Sequence, residues 1–310
     1  MPDAWRPFDR NPHTVVGDLR VHDPIPGPNG LRPRPIYVWL PPGHDASTDA
    51  NTDDSSAANT DPATGDDPSA SGYPVVYLHD GAALFDIHLK AEADDPSMGI
   101  TPGEWQVDET MTALHEEGLD AIVVGIPHAG EHRSTEYTPY CEPHPAISAV
   151  LPELPWPSGE AAAYVDWVCD VVRPLVEASF RVRRGPRHTT VGGSSLGGLV
   201  SLIALRQRPD VFGSAAVFSP AFWFTGERLL AELECEPLPP ARVYLDVGGQ
   251  ESTDVPGLTQ AYLRDAERAA AALAAQPQLD VRFVVDPAAR HHETAWAARF
   301  PDAMRFLLKP

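Results

Sequence analysis

The residues of this 310-residue chain that could do chemistry fall into four separated groups. The first is Thr189-Thr190-Val191-Gly192-Gly193-Ser194-Ser195-Leu196-Gly197-Gly198. It reads as a β-branched strand, a G-x-S-x-G turn and the start of a helix continued by Leu199-Val200-Ser201-Leu202-Ile203-Ala204-Leu205. In that order these parts hold a serine on a strained elbow as a nucleophile. Only Ser195 has glycine on both sides at two residues' distance, Gly193 and Gly197; centring on Ser194 would put Leu196 where a glycine is needed. Small residues are required there because strand and helix backbones crowd together. A bare G-x-S-x-G also occurs by chance in Gly/Ser-rich turns, so the competing reading is a tight βα turn of any α/β protein; the strand before it and the helix after it favour the elbow.

A serine hydroxyl is a weak nucleophile until a base accepts its proton, and a carboxylate orients that base. On an elbow fold the order along the chain is serine, acid, histidine. Downstream of Ser195 the only histidines are His291 and His292. The loop Gly248-Gly249-Gln250-Glu251-Ser252-Thr253-Asp254 offers Glu251 and Asp254 as the acid, while Asp246 falls inside the preceding strand. On spacing alone both choices stay open. An oxyanion hole needs the N–H after the nucleophile, Leu196, and one from the loop after an early strand, here His79-Asp80-Gly81-Ala82.

These groups require a particular scaffold. Apolar runs at Ile36–Leu40, Val75–Leu78, Ala121–Val124, Thr189–Gly192, Ala215–Phe218, Val243–Leu245 and Val281–Val285 read as strands. Helical stretches alternate with them; Leu258, Tyr262, Leu263, Ala266, Ala269, Ala270 and Leu273 carry the apolar spacing of one. The fold class that follows is α/β: a mostly parallel twisted sheet with helices on both faces, in one domain over 1–310. Residues 45–72, almost wholly Asp, Ser, Thr, Ala, Asn, Gly and Pro, read as a disordered acidic insertion joining two strands of one sheet. A Pro-rich stretch within about 128–160 reads as a cap or pocket wall over the C-terminal edge of the sheet.

Composition narrows the partners. The 23 basic and 44 acidic residues give a net charge of −21, which argues against nucleic acid or an anionic membrane surface. Only Lys90 and Lys309 are lysines. The balance suits a high-salt, halophilic cytoplasm, where self-repulsion is screened within about 3 Å at 1 M salt. No apolar run is long enough to span a bilayer, and the N-terminus lacks a signal-peptide pattern. Cys141, Cys169 and Cys235 form no C-x-x-C pair and read as small buried hydrophobes in a reducing compartment. The histidines His79, His128, His132, His144, His291 and His292 show no metal-ligand spacing, so no metal and no cofactor are expected.

The chain resembles the esterase D-like, enterochelin esterase-like family of α/β-hydrolases over about residues 35 to 310, apart from the insertion. The resemblance is carried by Pro74–Gly81, Trp105–Asp108, Gly130–Pro139, Gly192–Gly198, Phe218–Trp223 and His291–Trp296. That family includes siderophore, feruloyl and acetyl-xylan esterases, S-formylglutathione hydrolases and mycolyltransferases. Its H-x-x-x-x-W pattern, ending here at Trp296, implies His291 as base. Its G-x-x-[DE] pattern implies Glu251 as acid, although a serine–histidine dyad also occurs among siderophore esterases. The second oxyanion N–H is implied to be that of Ala82, with Gly81 as fallback. Arg133, in the family's segment near the site, reads first as a loop anchor and second as a substrate contact. Phe222 and Trp223 read as pocket-lining or core aromatics. The expected function is a serine carboxylesterase acting on a small-molecule ester through an acyl-enzyme. An acyltransferase with the same triad is the alternative, and a non-catalytic binding protein on the same fold is a third reading. The sequence assigns no oligomeric state.

Overall fold

The computed structural model describes residues 5–44, 72–89, 103–140, 159–252 and 254–309. Most of the expected acidic insertion and the Pro-rich stretch 141–158 lie outside these described residues. Among the described residues, nine strands form one sheet: β1 (Trp5–Pro7), β2 (Asp18–Ile25), β3 (Arg34–Leu40), β4 (Val75–His79), β5 (Ile122–Ile126), β6 (Thr189–Ser194), β7 (Ser214–Phe218), β8 (Ala241–Gln250) and β9 (Leu279–Arg290). Their spatial order is β1-β2-β3-β5-β4-β6-β7-β8-β9. Pairing is antiparallel from β1 through β3 to β5 and parallel among the remaining neighbours. The strands on either side of the insertion, β3 and β4, belong to this one sheet.

The described α-helices alternate with the strands: α1 (Val107–Glu116), α2 (Arg133–Tyr137), α3 (Ala161–Trp167), α4 (Arg173–Ser179), α5 (Leu196–Gln207), α6 (Arg228–Cys235), α7 (Leu258–Ala274) and α8 (Glu293–Leu307). The strands are apolar in consecutive positions because both faces are covered. Alternate side chains go to opposite sides. Val75, Tyr77, Ala215 and Val217 meet α3, α5 and α7, while Val76, Leu78, Ala216 and Phe218 meet α1 and α8. Phe300 and Met304 of α8 are wholly buried on the second side. A side chain of that kind contributes on the order of 1.5–3 kcal/mol, so α8 is held as a core element and carries the residues before it to a fixed place.

Two differences from the sequence reading matter for the site. Strands β8 and β9 run on to Gln250 and Arg290, beyond the apolar cores at Val243–Leu245 and Val281–Val285. A bulge at Gly248-Gly249 allows it; a Cβ on Gly248 would lie 2.5 Å from Ala289 O, and one on Gly249 2.5 Å from Pro287 O. Cys169 is buried as expected, but Cys235 ends α6 exposed to solvent.

Candidate active site

The turn between β6 and α5 has the backbone of an elbow. Ser195 lies at φ 57°, ψ −121°, a conformation that a residue with a Cβ adopts at a cost of about 1–3 kcal/mol. Three hydrogen bonds hold it there: Ser195 N–H donates to Phe218 O at 2.9 Å, and its carbonyl accepts from Leu199 at 3.0 Å and Ala221 at 3.1 Å. The glycines are demanded by contact. A Cβ on Gly193 would stand 2.9 Å from the Gly197 carbonyl carbon, and one on Gly198 2.9 Å from Phe218 O.

Glu251 and His291 meet because of strand register. Gln250 and Arg290 are Cα partners across β8 and β9, so the next residue of each chain segment leaves the sheet beside the other. His291 Nδ1 lies 2.6 Å from Glu251 Oε2, and Glu251 Oε1 accepts the Gly248 N–H at 2.5 Å. Burial opposes ionisation of this carboxyl, but the His291 hydrogen bond and charge, Ser219 and the Gly248 N–H outweigh it and hold Glu251 below its usual range. An ionised Glu251 accepts the Nδ1 proton and leaves Nε2 as the basic nitrogen.

The neighbouring candidates are placed elsewhere. His292 is the N-cap of α8, its Nδ1 accepting the Thr294 N–H at 3.2 Å. Asp254 is exposed at the rim of a cleft of about 700 Å³ that also borders Glu251, Ser252 and His291 but not Ser195. Asp246 is wholly buried within β8 and paired with Arg299 at 2.7 Å.

Ser195 and His291 share no direct hydrogen bond among the described residues. Tyr262 of α7 stands beside His291, with ring centroids 5.1 Å apart, and beside Trp223, at 6.3 Å. Tyr262 reads as a core position from helical spacing, and it is buried. A tyrosine among alanines and leucines was the one available signal.

The candidate oxyanion donors come from two adjacent turns. Leu196 is the first residue of α5 and Ala82 lies in the 3₁₀ turn Gly81–Ala83; N–H groups at such starts have no intrahelical acceptor. A Cβ on Gly197 would lie 3.0 Å from Asp80 Oδ2 and 3.3 Å from His79 Cβ, so the turns touch. Asp80 itself is left-handed at φ 58° and grips Arg133 through two hydrogen bonds, Nε to Oδ1 at 2.8 Å and Nη2 to Oδ2 at 2.7 Å. Burial would raise the Asp80 pKa, but the Arg133 charge and hydrogen bonds prevail and bring it to about 2. Arg133 is fixed in turn because Glu136, one turn on in α2, forms a buried bidentate pair with Arg34 of β3.

Of the two places open to Phe222, pocket wall or core, it is wholly buried among core residues. Trp223 is nearly buried and stacks on Phe224, with ring centroids 4.2 Å apart, beside Tyr262. Among the described residues, Glu104, Asp108 and Glu109 bring ligand oxygens within 4.8 Å of one another. They lie at the start of α1. Glu104 accepts the Thr14 hydroxyl and Asp108 the Val16 N–H; burial pushes Glu104 up to about 7 and Asp108 to about 8. Proton retention relieves the repulsion there. No described helix is long and apolar enough to cross a membrane.

The family model described as "Putative esterase" matches residues 34–307. The chain belongs to that family. It is 24% identical over 243 residues to the uncharacterized protein YbbA of Bacillus subtilis, covering 77% of this chain and 86% of that one. It is 28% identical over 174 residues to the siderophore enterobactin esterase of Emericella nidulans, covering 54% and 52%. The match thus spans about half of that siderophore esterase. Among solved structures, the BES protein from Bacillus cereus superposes with a TM-score of 0.62 at 18% identity, over 98% of this chain and 100% of that one. The siderophore hydrolase EstA from Aspergillus nidulans gives 0.61 at 20% identity, over 97% and 98%. At these identities the likeness establishes the fold, an α/β-hydrolase sheet with helices on both faces.

Proposed function

We propose that this member of the esterase family is a serine carboxylesterase working through an acyl-enzyme. The observation that carries the reading is the pairing of an ionised Glu251 with His291 at 2.6 Å on the same rim of the sheet as the strained Ser195 elbow. In this scheme Ser195 Oγ donates a hydrogen bond to His291 Nε2 as substrate arrives, since such catalytic hydrogen bonds often tighten only in the substrate complex. His291 takes the proton as Oγ bonds to the ester carbon, and the Leu196 and Ala82 N–H groups receive the developing oxyanion. The tetrahedral centre collapses, the C–O bond to the alcohol breaks, and His291 returns the proton to the leaving oxygen. Water then repeats the sequence on the acyl-enzyme and releases the acid.

The relatives named as siderophore esterases suggest siderophore esters as the first substrates to screen. The high acidic charge supports a salt-adapted intracellular protein, and stability that rises with salt would bear on that. The decisive experiment is Ser195→Ala with p-nitrophenyl acetate as substrate. Loss of turnover on the order of 10⁶-fold is expected when such a nucleophile is removed. Activity retained by the variant would refute the scheme, and product analysis with added alcohol would separate hydrolysis from acyl transfer.

A further inference from the structure

Glu104, Asp108 and Glu109 each bring a carboxylate oxygen to within 4.8 Å of the other two. Asp86 adjoins them: its Oδ1 lies 3.4 Å from the Thr14 hydroxyl, and the two Glu104 oxygens lie 3.1 and 3.2 Å from it. Three segments distant in the chain, 14–16, 86–88 and 104–109, therefore converge on one group of acids. A chain this acidic keeps most carboxylates at its surface, where water pairs them, but Asp86 and Asp108 are wholly buried. Asp108 Oδ2 accepts the Val16 N–H at 2.6 Å. Asp108 Oδ1, Glu109 Oε2 and Asp86 Oδ2 are buried with no hydrogen-bond donor among the described residues. Arg10 approaches only the margin of the group, its Nε 3.8 Å from Asp86 Oδ2. Among the described residues no lysine or arginine pairs with Glu104, Asp108 or Glu109. Buried carboxylate oxygens are ordinarily hydrogen-bonded, paired with a cation or bound to a metal ion.

We propose that Glu104, Asp108 and Glu109 form a structural site for a divalent cation of calcium size, with Asp86 and Thr14 at its edge. Ca²⁺ takes oxygen ligands at about 2.3–2.6 Å, so oxygens on opposite sides of it stand up to about 5 Å apart, and water completes the shell. A set of carboxylates without histidine or cysteine suits such a hard cation and not zinc or copper. Thr14 is exposed, which leaves one side open for the ion to enter. The bound ion would tie the three segments together and hold the stretch that precedes α1. That stretch backs the turn of His291 and His292. A Cβ on Gly103 would lie 2.7 Å from His292 Cε1 and 2.8 Å from Glu293 Oε2. Trp105 packs on Trp296 with ring centroids 5.7 Å apart, and Trp296 meets the His291 ring edge-on at 4.9 Å. The site goes beyond the esterase reading and does not depend on it.

Thermal melts of the EDTA-treated full chain with added Ca²⁺, at about 1 M KCl and about pH 9, test the site. The salt screens unspecific attraction of the ion to the net charge of −21. The alkaline pH removes the protons that compete with a cation for carboxylate ligands. The melting temperature should rise saturably, by about 4 °C once free Ca²⁺ is a hundredfold above Kd. Glu109→Gln removes one ligand charge from a partly exposed side chain and should weaken Ca²⁺ binding by about tenfold or more. Glu267→Gln, at an exposed position of α7, should respond as the parent chain does. The absence of a saturable rise in the parent chain, or the same rise at the same Ca²⁺ concentrations in Glu109→Gln, overturns the proposal. Should Glu109→Gln not fold, Glu104→Gln is read by the same criterion. Ser195→Ala should keep the full rise, so failure of the ion site and failure of the esterase reading are told apart: the first shows in the melts, the second in turnover.

Discussion

Gly197 and Asp80 approach so closely that a methyl group on the glycine would stand 3.0 Å from the Asp80 carboxylate. One glycine on the elbow and one aspartate on the turn after β4 thereby fix the separation of the two loops that carry the Leu196 and Ala82 N–H groups.

Gly197→Ala should push the Asp80 turn away from the elbow. A displacement near 1 Å is enough to cost about 10²-fold in turnover, and overpacking of this kind costs about 1–3 kcal/mol of stability. Steady-state kinetics and urea unfolding measure the two effects. A variant with full kcat would mean that the loops move independently.

Glu251→Gln keeps the shape of the side chain but removes the charge that orients His291. We expect kcat to fall by about 10²- to 10⁴-fold, bounded above by what is seen when a triad carboxylate is made an amide. Asp254→Asn, at an exposed site, should retain activity. The reverse ranking in a p-nitrophenyl acetate assay would move the acid to Asp254.

Arg133→Lys replaces a two-point grip on Asp80 with a single ammonium, which does not reproduce the planar fork. The folded pKa of Asp80 is lowered to about 2, so its contribution to stability is present above pH 4 and is lost as pH falls toward 2. Thermal melts of Arg133→Ala between pH 2 and 6 should lack that acid-dependent component. If Arg133 instead touched substrate, the defect would appear in KM for anionic esters and spare neutral ones.

Asp108 behaves in the opposite sense. Its folded pKa is raised to about 8 by burial, so the folded state holds its proton and stability declines as pH rises from about 4 through 8. Asp108→Asn should therefore gain in melting temperature relative to the parent chain as pH rises from 5 to 9. An equal difference at both ends would show that the carboxyl is already ionised in the fold.

The elbow was legible because two glycines around one serine have few other uses between a strand and a helix. The strands were legible where Val, Ile, Leu and Ala run together, as in Val75–Leu78. The far ends of β8 and β9 were not, because Gly248-Gly249 and Pro287 carry turn signals that the bulge overrides. Glu251 and His291 could consequently be chosen only by resemblance, whereas the Gln250–Arg290 register accounts for their meeting. β2 escaped notice although Leu19 and Val21 alternate with polar residues, because its run is short and charged. The place of Ser219 was not legible either, since its hydroxyl bonds to Trp296 and Arg299, about 80 positions away.

Among the described residues, strand β9 borders the sheet and has β8 as its one strand neighbour. The histidine that follows it is held on one side by this edge strand and on the other by α8 in the core, whereas Ser195 is anchored between β6 and α5 in the interior. Fraying at a sheet edge costs less than opening the centre. If His291 is the base as proposed, α8 is what keeps the Glu251–His291 pair together when that edge loosens.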